Sequence, residues 1–215
     1  MIQKKVLIEL IRNRLISEYQ AKELGKLGDR RIAYYVGRAY NTALANVLAR
    51  RLSDYSDYTK EYQSVAISKD SNTDVYYSTL PANIIIVPKR AGSGIIRISG
   101  MKSESVEFVP MTNNELQTIE GLEVDTIDDV VGYVFKNGRV EYKGMTSTIA
   151  AGTVKMELII PFEAYSDTDI LQLPLGSDEM ILQSVVNMLI GMPDSDKMND
   201  GNSLNKNLIR RNDGR

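Results

Sequence analysis

The feature that most constrains the fold is an Asn-Gly pair, Asn137-Gly138, between two runs of alternating apolar and polar residues. Both residue types tolerate positive φ, so the pair predicts a two-residue type I′ turn that joins two antiparallel strands within 131–143. The turn also fixes the register, which gives two cross-strand pairs on one face: Phe135 with Val140, and Tyr133 with Tyr142. Because a lone hairpin is only marginally stable in water, this aromatic face requires further strands to cover it.

The surrounding region, about residues 62–160, is a series of strand-like runs separated by turn residues. The runs lie at 64–68, 74–79, 83–87, 94–99, 104–109, 131–136, 139–143 and 153–160. The dense β-branched content of 84–87 and 95–98 predicts a second hairpin across a longer loop. Thr112 and Glu115 have capping-box spacing, which predicts a short helical turn inside the region. No helix of crossover length separates the runs, so the pattern predicts an antiparallel barrel or sandwich.

Both ends of the chain have the apolar spacing of helices. Residues 2–24 and 30–52 are two amphipathic patterns joined by a short glycine-containing connection, which predicts an antiparallel helical hairpin. Asp29 is suited to cap the second helix. Near the other end of the chain, Ser177 can cap an apolar helix that a following Gly and Pro terminate.

The predicted fold class is therefore α+β. An N-terminal helical hairpin and a C-terminal helix form a small bundle, and an antiparallel β-barrel or sandwich is inserted between them. An extended arm follows the last helix. The predicted parts are the helical hairpin at 1–60, the β-domain at 61–172, the C-terminal helix at 173–192 and the arm at 193–215.

The sequence lacks both cysteine and histidine. This absence removes disulfides, thiolate catalysis, imidazole general bases and the usual ligands of transition metals. The glycine-rich loop around Lys89 and Arg90 lacks the Gly-Lys-Ser/Thr ending of a phosphate loop, so a plain hairpin loop is favoured. We expect no enzyme activity, no catalytic residues, no metal and no cofactor.

Charge is distributed unevenly, although the formal net charge is only −2. Residues 1–52 contain eleven Lys or Arg and four Asp or Glu, a charge of +7, which leaves −9 on residues 53–215. A basic helical face of this kind can bind nucleic acid or an acidic protein surface, and nearby tyrosines could stack on single-stranded bases. The plainer interpretation is a solvated amphipathic face, with tyrosines used in the core. The candidate basic face consists of Arg12, Arg14, Arg30, Arg31 and Arg38.

The last segment, residues 194–215, is strongly polar. Its few apolar residues are Met198, Leu204, Leu208 and Ile209. Such a composition buries too little surface to offset the entropy of ordering the chain alone. The segment is either a disordered tail or an arm that becomes ordered on a partner, and in the second case these four residues are the candidate partner-binding residues.

The order of these parts, a basic helical hairpin, an inserted β-region, a Leu173-Pro174-Leu175 run into an amphipathic helix and a polar arm beginning at Pro193, resembles a known family. The chain resembles the head-to-tail connector (adaptor or ring) proteins of short-tailed bacteriophages, including crAss-like phages. The resemblance implies a helical bundle around a channel, a projecting β-domain and an arm that reaches a neighbour. It also implies a closed homo-oligomeric ring, a dodecamer of about twelve copies. The long β-region departs from connectors that are almost wholly helical.

The expected function is therefore that of a virion structural protein in the tail or head-tail connector, assembled in the host cytoplasm. Its expected partners are the portal protein and other tail or ring proteins, with a channel that allows DNA to pass. No run approaches the roughly 18 apolar residues of a membrane span, so no membrane partner is expected. A nucleic-acid-binding module that uses the basic N-terminal helices is the alternative. A carbohydrate-binding β-module is a weaker third hypothesis, because such surfaces usually expose tryptophan and this chain has none.

Overall fold

The computed structural model describes residues 2–18, 28–50, 55–87, 90–100, 106–112, 114–115, 130–171 and 177–190. The structure is α+β and divides into two compact units. A helical unit is drawn from Met1–Leu44 and Tyr165–Arg215, and a barrel unit from Ala45–Ala164. The boundary falls inside the second helix. The predicted connection between the first two helices lies outside the described residues, as do 173–175 and the arm.

The described helices are α1 (Lys4–Glu18), α2 (Asp29–Arg50), α3 (Ser147–Ala150) and α4 (Ser177–Ile190). The described strands are β1 (Ile2–Gln3), β2 (Lys60–Ala66), β3 (Ser68–Lys69), β4 (Tyr76–Thr79), β5 (Ile95–Gly100), β6 (Glu107–Pro110), β7 (Val130–Lys136), β8 (Arg139–Lys143), β9 (Thr153–Leu158) and β10 (Ile170–Leu171). Short 3-10 turns cover Ser56–Tyr58 and Phe162–Ala164.

The helical unit has an apolar core made by one stripe from each helix, as the periodicity predicts. Leu7, Ile11 and Leu15 form the stripe of α1 and are fully buried, and α4 packs against α1. A small antiparallel ladder, in which Ile2 lies opposite Leu171, joins the start of the chain to β10. The prediction of a helix from residue 2 is therefore wrong by two residues, because this pairing holds the first residues extended. Core residues of the unit include Leu7, Ile11, Leu15, Ile32, Val36, Tyr40, Ile181, Leu182, Val185 and Leu189.

The barrel unit contains an eight-stranded sheet in the order β2-β9-β5-β6-β7-β8-β4-β3. Six of its described pairings are antiparallel, but β6 and β7 are parallel, so the prediction of an antiparallel sheet needs this correction. A parallel pair requires a crossover of a dozen or more residues. The connection at 111–129 is long enough for such a crossover. Its sequence predicts only the short helical turn at Thr112 and Glu115, and no helix of crossover length.

The two edge strands of this sheet are consecutive in the chain, because only Ile67 separates β2 from β3. One edge, β2, pairs with β9, and the other edge, β3, pairs with β4. The Ser78 hydroxyl on β4 donates a hydrogen bond to the Ala66 carbonyl on β2 over 2.9 Å. A bulge near Ser64, where φ is +58°, bends β2 before the partner change. The sheet is therefore nearly closed and barrel-like.

The central hairpin forms with the predicted register. Tyr133 lies opposite Tyr142 and Phe135 opposite Val140. Both turn residues have positive φ, +52° at Asn137 and +77° at Gly138, as a type I′ turn requires. The Tyr142 hydroxyl donates to the buried Ser78 hydroxyl oxygen over 3.0 Å. The hairpin is thus tied to the same serine that links β4 to β2.

The predicted second hairpin is wrong. Residues 83–87 belong to no strand and form no ladder with β5, whose two described neighbours are β9 and β6. The Ile85 amide instead donates to the Ile159 carbonyl, and the Ile159 amide donates to the Gly94 carbonyl. The strand predicted at 84–87 is absent, because one edge of β5 pairs with β6 and the other pairs with β9, which is distant in sequence. The β-branched content of a segment does not determine which strand pairs with a given edge.

Candidate functional site

Two of the predicted basic residues lie on α1, and each is paired with a carboxylate. Arg12 Nη1 lies 2.6 Å from Asp29 Oδ1 at the start of α2. Arg14 forms a salt bridge with Glu179 in the first turn of α4. Two positions along a helix correspond to about 200° of rotation, so the arginines leave opposite flanks of α1. Their charge is neutralised within the helical unit.

The other three arginines lie on α2 and differ in exposure. Arg31 is half-buried and interacts with other groups, whereas Arg30 and Arg38 are exposed. Within the described part of the chain, neither Arg30 nor Arg38 forms an ion pair with a carboxylate. The sequence grouped five arginines into one face, and the structure distributes them over two bridged, one half-buried and two exposed positions.

Between the two exposed arginines lies Tyr34, whose exposed fraction is 57%. The spacing of Arg30, Tyr34 and Arg38 is four residues each time, which places them on one side of the helix. The Arg38 guanidinium carbon lies 6.0 Å from the Tyr34 ring centroid, at the outer limit of a cation–π contact. We name these three residues the α2 stripe.

A second exposed group, missed in the sequence, lies in the first turn of α4. Met180 is 61% exposed and follows the acidic residues Asp178 and Glu179. The sequence predicted here only an apolar helix capped by Ser177. The sequence does indicate this exposure, because Met180 lies outside the apolar stripe of the helix, which begins at Ile181. Asp178 is half-buried and leaves α4 about 200° away from Met180, so the two side chains do not share one face.

A groove of about 310 Å³ lies between α1 and the start of α2. Three basic and three acidic side chains line it, so its charge is balanced. Such a lining gives no preference for an anionic or a cationic ligand. The charged lining residues are Lys5, Arg12, Arg30, Glu9, Asp29 and Asp167.

The barrel unit pairs its surface charges locally. Arg139 donates to Glu141 Oε1 over 2.8 Å and to Asp70 Oδ2 over 3.2 Å, and it lies 4.9 Å from the Tyr77 ring centroid. The pKa of Asp70 is lowered, first by the hydrogen bond from the Asn72 backbone amide and also by Arg139. The pKa of Arg139 is raised, first by its hydrogen bond to Glu141. This network joins the β3–β4 loop to the β7–β8 hairpin.

A second network lies on the outer face of β2 and β9. Glu61 and Glu157 are directly opposite in the ladder, and Lys155 Nζ lies 2.5 Å from Glu61 and 3.8 Å from Glu157. The hydrogen bond from Lys155 lowers the pKa of Glu61. The lysine thus offsets the repulsion expected between like charges placed opposite each other. This pair of carboxylates is explained by strand pairing.

Arg90 in the glycine-rich loop has a structural role. Arg90 donates to the carbonyl oxygens of Ser93, Ile95 and Ile96 over 3.1, 2.5 and 3.2 Å, and it lies near the Tyr55 ring. A guanidinium that binds three backbone carbonyls is not directed toward a phosphate. Lys89 lies outside the described residues.

No described group of three or more acidic side chains is arranged to hold a metal ion. Nor does any helix within the described ranges have the length and apolar content to cross a membrane. The candidate arm residues Met198, Leu204, Leu208 and Ile209 lie outside the described part of the chain. No protein-family model matches the chain, and no curated protein matches it significantly.

Proposed function

We propose that this chain is a non-enzymatic virion structural protein that forms an oligomeric ring between portal and tail. The observation that supports the proposal most is the exposure of large apolar side chains on the helical unit. Surfaces of this kind mark sites of protein association when several occur together. The exposed residues of this unit are Val6, Ile16, Tyr34, Ile170 and Met180.

The resemblance to phage connectors supplies the finer parts of the proposal. In it, α1 and α2 form a helical hairpin, and α4 completes a small bundle around a channel that DNA crosses. The arm at 193–215 reaches the portal or a neighbouring subunit through Met198, Leu204, Leu208 and Ile209. A ring of about twelve copies follows if each contact is heterologous and the rotation closes.

Native mass spectrometry of the full chain, alone and mixed with a portal protein, tests this function. We expect a single large species with a narrow range of copy numbers, at least when portal is present. A chain that stays monomeric under both conditions would contradict the proposal. A truncated chain that ends at residue 193 should keep its melting temperature but fail to bind portal, because the arm acts only on a partner.

The second candidate function is nucleic-acid binding through the basic N-terminal helices, and the α2 stripe favours it. Two exposed arginines with a tyrosine between them can contact phosphates and stack on a base. Binding of this kind weakens steeply as salt rises, because counterions are released. Fluorescence anisotropy with single-stranded DNA at low and physiological salt distinguishes it from a ring whose apolar contacts resist salt.

A further inference from the structure

The α2 stripe is an exposed surface of two cations with an aromatic ring between them. Arg30 and Arg38 form no ion pair within the described residues, and Tyr34 is 57% exposed. Each residue of the stripe follows the previous one by four positions, which is a rise of about 6 Å along the helix axis. The two arginines therefore lie about 12 Å apart along that axis, with the tyrosine midway.

The first part of the arm carries the complementary groups at a matching repeat. Asp196, Met198 and Asp200 are each separated by one residue. In an extended chain, alternate residues lie on the same face, and two positions advance the chain by about 6.6 Å. The two carboxylates are then about 13 Å apart with the thioether midway, which is close to the spacing of the stripe. The intervening Lys197 and Asn199 lie on the opposite face.

We infer that residues 196–200 of one copy bind, in an extended conformation, along the α2 stripe of the next copy. The two aspartates accept charge-assisted hydrogen bonds from the two arginines of the stripe, often as two parallel bonds. The Met198 sulfur packs against the Tyr34 ring, a favourable contact for a thioether and an aromatic group. The segment therefore supplies a partner for each of the three side chains of the stripe.

This inference rests on the proposed function, because it names a neighbouring subunit as the partner of the arm. The arm and the stripe are different surfaces of one chain, so their contact is heterologous, the type that generates a ring when the rotation closes. The last described helix ends at Ile190. The six residues from there to Asp196 span up to about 20 Å, a length that allows the segment to reach a neighbouring subunit.

A nucleic acid fits the surroundings of the stripe less well than the arm does. Arg30 also lines the groove between α1 and the start of α2, together with Asp29 and Asp167. A continuous polyanion that extends past Arg30 enters this groove, whose balanced charge does not attract it. The arm requires no further cation there when Asp200 lies opposite Arg30, because the next residue on the same face is the uncharged Asn202.

Paired charge reversals in the full chain test the contact. The stripe variant is Arg30→Glu with Arg38→Glu, the arm variant is Asp196→Arg with Asp200→Arg, and a third variant combines all four changes. Native mass spectrometry measures the assembled fraction under the condition in which wild type assembles. The stripe variant and the arm variant should each lower this fraction by about tenfold or more, because like charges then meet in the contact. The combined variant should recover most of the assembly.

A matched control separates the contact from a general effect of net charge. Arg97→Glu with Lys136→Glu reverses two exposed cations of the barrel unit and changes the net charge as the stripe variant does. This control should assemble like wild type. An equal loss of assembly in the control, or failure of the combined variant to recover assembly, would overturn the inference.

The absence of cysteine from the chain allows the contact to be trapped as a disulfide. Tyr34→Cys in one tagged chain and Met198→Cys in a differently tagged chain place single thiols at the centres of the two surfaces. Under mild oxidation of the mixed assembly, a disulfide between the two tagged chains should form. Ile86→Cys, at an exposed apolar position of the barrel unit, replaces Tyr34→Cys in the control and should give little of this product. Equal cross-linking in the control, or no mixed disulfide in the assembly, would contradict the contact.

The remaining outcomes separate the contact from the function. If wild type does not assemble with or without portal, the proposed function fails and this contact fails with it. If wild type assembles and the stripe and arm variants assemble equally well, the ring stands and the contact is wrong. If the stripe variant loses binding to single-stranded DNA but keeps its assembly, the stripe is a nucleic-acid surface and the inference is overturned.

Discussion

The two units differ in the number of large apolar side chains that they leave in solvent. In the barrel unit, two local networks pair charges at the outer face, one of Arg139 with Asp70 and Glu141 and one of Lys155 with Glu61 and Glu157. In the helical unit, Arg30 and Arg38 form no ion pair within the described residues, and Tyr34 between them is exposed. Four further apolar side chains of the described helical unit are also exposed: Val6, Ile16, Ile170 and Met180. Ile86, 74% exposed, is the one large apolar residue of the described barrel unit with comparable exposure.

This difference follows from how completely each unit buries its apolar side chains. The barrel nearly closes its sheet, buries Tyr133 and Tyr142 of the central hairpin and pairs part of its surface charge locally. The helical unit buries one stripe per helix and leaves a second set of apolar and cationic groups in solvent.

The largest expected effect comes from Gly94, in the barrel unit. A Cβ at this position would overlap the Ile85 carbonyl oxygen, which belongs to the backbone and cannot rotate away. Gly94→Ala should therefore cost about 3 kcal/mol of unfolding free energy, measured by urea denaturation. Gly152→Ala is the matched control, since its Cβ would meet its nearest atom at an ordinary 3.5 Å. Equal stability of the two variants would contradict the observed packing of residue 85 against the start of β5.

A nearly equal effect should follow from alkaline pH. Burial raises the pKa of Tyr133 from 10.0 to about 12, so the fold favours the neutral phenol. Below pH 10 both states are protonated and stability is unaffected. Between pH 10 and 12 the unfolded chain loses this proton first, so the free energy of unfolding should fall by about 3 kcal/mol.

Tyr133→Phe provides the control for the alkaline prediction. This variant should show a shallower loss of stability over the same pH range, although buried Tyr142, whose pKa is also raised by burial, still contributes. Urea denaturation at several pH values measures both profiles. Parallel profiles for wild type and variant would show that Tyr133 ionises as easily in the fold as in the unfolded chain.

A smaller loss is expected at Ser78. Its hydroxyl donates to Ala66 and accepts from Tyr142, so Ser78→Ala removes two hydrogen bonds and leaves the Tyr142 hydroxyl buried without this acceptor. The cost should be about 2 kcal/mol. Combining Ser78→Ala with Tyr142→Phe should cost less than the sum of the two single changes, because both partners of one bond are then removed. Full additivity would indicate that the two side chains are not coupled.

The smallest effects on stability should come from the helical unit. Arg30→Ala, Tyr34→Ala and Met180→Ala each change an exposed side chain, so the free energy of unfolding of the single copy should change by no more than about 0.5 kcal/mol. Thermal denaturation at a concentration where the chain is monomeric measures this. A large loss at any of these positions would mean that the side chain stabilises the monomer, and the contrast between the units would weaken.

Local signals in the sequence predicted local structure well. The Asn137-Gly138 turn gave the hairpin register because a two-residue loop leaves no freedom in strand pairing. The bounds of β8 at Arg139–Lys143 were predicted as observed, and so was the capping box, in which the Glu115 amide donates to the Thr112 hydroxyl and the Thr112 amide donates to the Glu115 carboxylate. In each case, the residues that decide the structure lie within a few positions of one another.

Non-local features were not predictable in the same way. Three such features are the parallel β6–β7 pair, the partner change between β2 and β3, and the bond from the Ile85 amide to the Ile159 carbonyl in place of the predicted hairpin. Each depends on residues that are distant in sequence. The candidate site shows the same limit. The pairing of Arg12 and Arg14 with acids could not be seen from their sequence positions, since Glu179 is 165 residues from Arg14.

Hydroxyl-radical footprinting of the full chain, before and after assembly with portal, tests the central claim most directly. If the exposed groups of the helical unit serve assembly, oxidation of Met180 and Tyr34 should fall by about tenfold or more in the assembled particle, as expected for side chains that lose solvent contact. Exposed Ile86 of the barrel unit should remain as reactive as in the free chain. Unchanged oxidation of Met180 and Tyr34 in a particle that contains the chain would contradict the claim.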